Sequence, residues 1–390
     1  MDILQKTFFG LLKNALYSKN ECFEYAQKDG LLEMAKTHKC IPFIYIGAKN
    51  AGFELPDDFK NHMTINAVRN QLYMKIQTHI INALKNAGIT CAVLKGSSVS
   101  VNYPEPMART MGDIDILVNE EDYDKAISIF CVDDIDDSHA FHSSFVLNGI
   151  TIEIHKYVTE YTSEKYGDFI KNVMSDALKN TLIKRIDEFE FPVLEEKFQA
   201  ATLLLHKQRH FFENLLPIRM LCDWAMFIGS VDAKKWEEEI YPFVSKMGLG
   251  EFCDVMVSVC NKYLGSNCLD KVIGSVDEKL VDSIIIEFIH GGVEKEVDSL
   301  SRNIGSRISQ NRINSKGIIR PLIMFLNEIA RTEFSIAKKS DIFLPLCWIY
   351  IFFRYVARVF LGKRSMFKIN TFTETADRKE YIIKRLNLKD

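Results

Sequence analysis

Apolar residues recur at three- and four-residue spacing over residues 1 to about 85 and again beyond about 195, which predicts helices in both regions. In "RNQLYMKIQTHIINALKNAG", Leu72, Ile76, Ile80 and Leu84 make one apolar stripe, and Gly88 closes the helix. "FFGLLKNALY" predicts an earlier helix, and "LPDDFKNHM" a turn into the longer one. Between the two helical regions the period shortens to two. "ITCAVLKG" (89–96) and "MGDIDILVN" (111–119) read as strands, and "SFVLNGITIEIHKYV" (144–158) as a hairpin turning at Asn148-Gly149. "EEDYDKAISIF" (120–130) reads as a helix with acidic residues in its first turn, where the helix dipole favours them. "DDIDDSHAFHS" is a polar loop. Further helices are expected over 195–215, from Pro217, and over 235–262, 277–290, 318–335 and 342–361, with 291–317 as a polar connector. The pattern predicts a small α/β or α+β module over 86–190, between an N-terminal helical region (1–85) and a C-terminal helical domain (191–390).

Composition narrows the function classes. Forty-nine Lys and Arg against 52 Asp and Glu give a net charge of -3 over 390 residues. That balance carries no global nucleic-acid signature, and a nucleic-acid partner is not expected. Arg302, Arg307, Arg312, Lys316 and Arg320 form a basic run without interleaved aromatics, read as solvated surface. Nine cysteines lack a CxxC pair, which argues for buried thiols in a reducing compartment rather than zinc ribbons or disulfides. The first residues lack a basic leader with an apolar block, so a cytoplasmic location is expected. Residues 342–361 approach bilayer length but include Pro345, Arg354 and Arg358. A buried helix is the expectation there, with membrane-surface contact as the less favoured alternative.

The chemistry concentrates in "RTMGDIDILV". Side chains alternate faces along a strand, so Asp113 and Asp115 point the same way, roughly 7 Å apart, with Ile114 and Ile116 on the other face. Like charges at that spacing call for a cation, and oxygen ligands suit Mg2+ or Mn2+. "GITIEIHKY" repeats the device: Ile152 and Ile154 on one face, Glu153 and His155 on the other. If the two strands are neighbours, three carboxylates converge, as a two-metal phosphoryl or nucleotidyl transfer site requires. Upstream, "VLKGSSVS" leaves its strand at Gly96, and Ser97 and Ser98 offer hydroxyl and N–H donors to phosphate. It is not a Walker A loop. Lys95 and Arg109 add cations, the guanidinium with a two-pronged grip. A Gly-Ser turn alone is ordinary, whereas the three elements in this order are specific.

"LKGSS", "GDIDILV" and "IEIH" together resemble the catalytic core of the DNA polymerase beta-like nucleotidyltransferase superfamily, and within it a bacterial group of uncharacterised nucleotidyltransferases. The resemblance maps Gly96 and Ser97 onto the Gly-Ser turn, Asp113 and Asp115 onto the acid pair, and Glu153 onto the third acid, where aspartate is common. It implies an α+β fold with a small mixed-sheet core, an NTP substrate, Mg2+ or Mn2+ with two ions during catalysis, and accessory helices that hold a hydroxyl-bearing acceptor. Asp113, Asp115 and Glu153 would hold metal, with Glu153 also orienting the acceptor hydroxyl. Gly96, Ser97, Lys95 and Arg109 would contact nucleotide phosphates. His155 shares the face of Glu153, as an acceptor contact, a support for the acids or a packed ring. The looser resemblance of residues 203–225 adds His206, His210 and Asp223 as pocket-lining candidates. An NTP-dependent phosphotransferase on the same core and a catalytically silent nucleotide-binding protein are the alternatives.

Overall fold

The computed structural model describes residues 1–19, 28–131, 134–137, 141–158, 167–213, 215–291, 323–324, 326–327, 329–331, 334–360 and 369–388. They fall into two units: Met1–Lys207 with Pro217–Ile289, and Gln208–Leu216 with His290–Asp390. Residues 292–322, with the whole basic run from Arg302 to Arg320, lie outside the described residues, as does much of the helix expected over 318–335.

The first unit carries one six-stranded mixed sheet, and the fold is α+β. Its strands are β1 (Cys91–Val93), β2 (Ile114–Val118), β3 (His142–Leu147), β4 (Ile150–His155), β5 (Thr181–Ile186) and β6 (Phe189–Leu194). Their spatial order is β3-β4-β2-β1-β6-β5. Asn148 (φ 50°) and Gly149 (φ 77°) both take the left-handed conformation that a two-residue hairpin turn demands, which fixes the β3–β4 register. β4 then lies parallel to β2, with Asp115 opposite Glu153 and Ile116 opposite Ile154. β1 runs antiparallel to β2, and β6 parallel to β1.

The helices of the first unit begin with α1 (Ile3–Tyr17), α2 (Lys28–Thr37), α3 (Ile41–Asn50) and α4 (Asp57–Asn86). The four-residue α5 (Ser97–Ser100), α6 (Tyr123–Ser128), α7 (Gly167–Met174), α8 (Glu196–Glu213, in this unit as far as Lys207) and α9 (Ile218–Ser230) follow. The α4 helix ends before Gly88 (φ 74°), whose N–H reaches the Lys85 carbonyl. Its buried stripe is Tyr73, Ile76, Ile80 and Leu84, and Leu72 is exposed. Four-residue steps overrun a 3.6-residue turn by about 40° each, so a stripe drawn backwards in fours leaves the packed face, and Tyr73 takes the place expected for Leu72. The stretch expected as one helix over 235–262 is divided: Tyr241–Lys246 and Gly250–Val259 are separated at Gly248 (φ 77°).

Ile114, Ile116, Ile152 and Ile154 are fully buried against α4 and the β6 residues Phe191 and Val193. This apolar face anchors the strands whose other face carries the acids. Ile114→Ala is expected to destabilise the fold by about 2–5 kcal/mol while leaving the carboxylates themselves intact, measured as a lowered denaturant midpoint.

In the second unit, helix Leu344–Phe360 buries Leu344 and Cys347 with Ala330 and Ala337. Leu346, Ile349, Phe352 and Phe353 are exposed, which corrects the expectation of a buried helix. Residues 344–353 are apolar around the whole circumference, so packing one side leaves the other facing out. Among the described residues no helix is long and apolar enough to cross a membrane. The eight described cysteines are free thiols, all buried except Cys131.

Candidate active site

Asp113 precedes β2 and Asp115 lies inside it, while Glu153 sits directly across from Asp115 on the parallel strand β4. One carboxylate oxygen from each of Asp113, Asp115 and Glu153 lies within 4.8 Å of the others. Asp113 is the more open of the two and Asp115 is 1% exposed, so the cluster runs from the solvent side into the sheet. The donors are all hard oxygens, which fits a Mg2+- or Mn2+-type ion.

Cations already gather there. Lys95, two residues beyond β1, places Nζ 2.5 Å from Asp115 Oδ1. The His155 ring, two residues after Glu153 on the same face, lies with Nε2 3.1 Å from Asp115 Oδ1 and 3.1 Å from Glu153 Oε2. Burial by itself would raise the Glu153 pKa, but the hydrogen bond from His155 and the charge of Lys95 hold it down at about 2. Burial pulls the Lys95 and His155 pKa values down, and the neighbouring carboxylates more than reverse this for both. The lysine is held as an ammonium, so the face is a charge-balanced cluster rather than a bare acidic patch.

The loop that delivers Asp113 is tied to α4 by polar side chains set into its apolar stripe. Asn70 Nδ2 donates to the carbonyls of Met107 (2.7 Å) and Arg109 (2.8 Å). Asn66 Nδ2 reaches the Ala108 carbonyl at 3.4 Å. The Tyr73 hydroxyl donates to the Asp113 carbonyl (3.0 Å). Asn66, Asn70, Tyr73 and Gln77 follow three- and four-residue spacing on one side of α4. These buried polar positions inside a helical stripe are the signal that could have marked them as scaffolding for the site.

Gly96 turns the chain from β1 into α5 with φ 57° and ψ −119°. A side chain is disfavoured twice here. The left-handed φ strains any other residue, and a Cβ would lie 2.3 Å from the Tyr73 hydroxyl oxygen. Gly96→Ala is therefore expected to cost about 1–3 kcal/mol or more and to displace Tyr73 from Asp113. In a Tyr73→Phe background the cost should shrink, because the colliding atom is gone; thermal unfolding of the four proteins of this cycle reads the difference. Ser97 is fully buried, and its hydroxyl donates to Gln77 Oε1 at 2.6 Å.

Arg109 and Asp223 are each other's partners. Arg109 Nε donates to Asp223 Oδ1 (2.7 Å) and Nη2 to Oδ2 (2.8 Å), a two-pronged buried pair to which Tyr103 adds its hydroxyl (2.7 Å). The guanidinium expected at a phosphate is thus 2% exposed and engaged with α9. From the same helix Arg219 donates to the Thr110 carbonyl at 3.2 Å, so α9 and α4 both grip the loop before Asp113. His206 lies on α8 in the first unit, whereas His210 belongs to the second, with Nδ1 3.4 Å from Glu213 Oε2. Neither joins a metal-capable cluster among the described residues. His142, read from sequence as part of a polar loop, is the first residue of β3 and pairs with His155. An Asp-rich approach hid the strand start, although His142, Ser144 and Val146 already alternate with Ser143, Phe145 and Leu147.

Comparison with curated proteins returns no match. A family model described as "Uncharacterised nucleotidyltransferase" matches residues 25–265, more than half of the chain and all of the residues that form the carboxylate cluster and its supports. Strand-borne acids, a glycine turn and a lysine are thus found inside the matched region, and the chain belongs to the uncharacterised nucleotidyltransferase family.

Proposed function

We propose that the protein transfers an NMP from an NTP to a hydroxyl on a small molecule, carrier or protein, on a core of the DNA polymerase beta-like type found in bacterial relatives. The observation that carries this reading is the convergence of Asp113, Asp115 and Glu153 on one sheet face, with Lys95 beside them. Those carboxylates would hold two Mg2+ or Mn2+ ions, which when bound offset charge on the nucleotide phosphates and the departing pyrophosphate.

The chain's own groups supply the rest. Glu153, held ionised, orients the acceptor hydroxyl and accepts its proton. Lys95, released from Asp115, neutralises a phosphate oxygen. Gly96 and Ser97 meet phosphate through backbone N–H groups, since the Ser97 hydroxyl is engaged with Gln77. Arg109 acts through Asp223 as a positioning residue, holding the loop that presents Asp113. We place the reaction in the cytoplasm, where the described thiols stay reduced.

The test is to supply Mg2+, each of four α-labelled NTPs and a lysate extract as acceptor source. Label on a product with matching pyrophosphate release is the expected result. Label recovered only as NDP, with the γ-phosphate on an acceptor, overturns it in favour of γ-phosphate transfer.

A further inference from the structure

The polar sheet face does not end at the three carboxylates. On its far side, His142 and His155 are cross-strand partners on β3 and β4, their ring centroids 4.8 Å apart. Both project to the face of Glu153, whose two oxygens divide between them. Oε1 lies 3.8 Å from His142 Nε2, and Oε2 lies 3.1 Å from His155 Nε2. One donor atom from each of the three residues falls within 4.8 Å of the others.

A tetrahedral ion with bonds of about 2.0–2.1 Å to nitrogen and oxygen sets its ligands roughly 3.3 Å apart. The separations to the two Glu153 oxygens, 3.8 Å and 3.1 Å, fall on either side of that value. The site is also walled. Both imidazoles are buried, and the Phe141 ring lies 4.4 Å from His142 and 5.9 Å from His155 by centroid. The contact of His155 Nε2 with both Glu153 and Asp115 shows that this nitrogen points into the cluster rather than away from it.

We propose that His142, His155 and Glu153 form a second divalent-cation site, selective for borderline ions such as Zn2+ or Co2+ over Mg2+. Two imidazoles and one carboxylate are the ligand set those ions accept and Mg2+ avoids. Glu153 is shared, so it joins this site to the all-oxygen position between Asp113 and Asp115. The binding does not depend on NMP transfer, and either reading can fail without the other.

The test uses the full chain, freed of metal by chelation, with Co2+ alone as probe and no nucleotide. Co2+ titration followed by visible absorption should show one site with nitrogen ligation. His142→Ala and His155→Ala should each weaken it by about 10-fold or more, the scale on which even residues supporting a metal's ligands act. Asp113→Asn should leave it within about 2-fold, and excess Mg2+ should not displace the ion. Because a histidine variant can misfold, nitrogen coupling is also read in the unmodified protein by pulsed electron paramagnetic resonance with Cu2+. Imidazole nitrogen coupling supports the site. Oxygen-only coordination of Cu2+, or nitrogen-ligated Co2+ binding that survives His142→Ala unweakened in a folded protein, overturns it.

Discussion

Asp113→Asn protein should lose about 10³-fold or more in kcat for NMP transfer while unfolding at the wild-type temperature. The two halves of that result come from different observations. Among the described residues the Asp113 carboxylate makes no hydrogen bond or ion pair; the loop is held through its backbone, by Tyr73 donating to the Asp113 carbonyl. An amide in its place therefore changes charge and ligand strength without disturbing packing. Losing several kcal/mol of transition-state charge stabilisation, about 4 kcal/mol here, is about 10³-fold in rate. Asp115→Asn should combine the defects, because Asp115 receives Lys95 and His155 as well. Initial rates and thermal unfolding on the same preparations separate the two effects.

Asp223→Ala should produce the opposite pattern: a large loss of stability, with activity lost because the loop is no longer held. The change removes the sole described acceptors of Arg109's two-pronged grip and leaves a guanidinium buried without a counter-charge. Removing one member of a buried pair costs about 3–5 kcal/mol. Replacing the set with apolar residues, as Arg109→Met, Asp223→Leu and Tyr103→Phe together, should restore part of the stability, because none of the three then carries a desolvated charge or hydroxyl, while buried Lys207 and Arg219 still lose the carboxylate that favours their charged forms. Denaturant unfolding of the single and combined variants checks this.

The pair also sets an acid limit. Burial would raise the Asp223 pKa, but Arg109 and its hydrogen bonds hold it at about 2, below the roughly 3.9 of an unfolded aspartate. Because the folded value is depressed, the stabilisation is fully present above about pH 4 and is lost as pH falls toward 2. The Asp223→Leu combination should lack that component of acid sensitivity.

Residues close together in sequence and governed by strand alternation were the most legible part of the protein. Asp113 and Asp115 share a face because a strand has period two, and Asn148-Gly149 announced the hairpin that sets Glu153 beside Asp115. The β5–β6 hairpin was not legible. Pro192 argues against an inner strand, and Asp187-Glu188 lacks the glycine that marks a tight turn, yet β6 lies between β1 and β5. Pro192 is tolerated because the pairing of β6 with β1 is confined to Val93 and Val193. The Arg109–Asp223 pair joins residues 114 positions apart, a separation across which local patterning carries no information. Helix Leu344–Phe360 exposed the limit of hydropathy itself, which measures how apolar a segment is and not which side finds a partner.

The most direct test of the central claim is the mass added to the acceptor. The protein is incubated with NTP, Mg2+ and the acceptor fraction that captures label, and the modified acceptor is weighed by mass spectrometry beside an Asp113→Asn control. The proposed NMP transfer predicts the addition of one nucleoside monophosphate, absent from the control. A gain of a single phosphate group would contradict it, and would mean that this same face directs attack at the γ-phosphate.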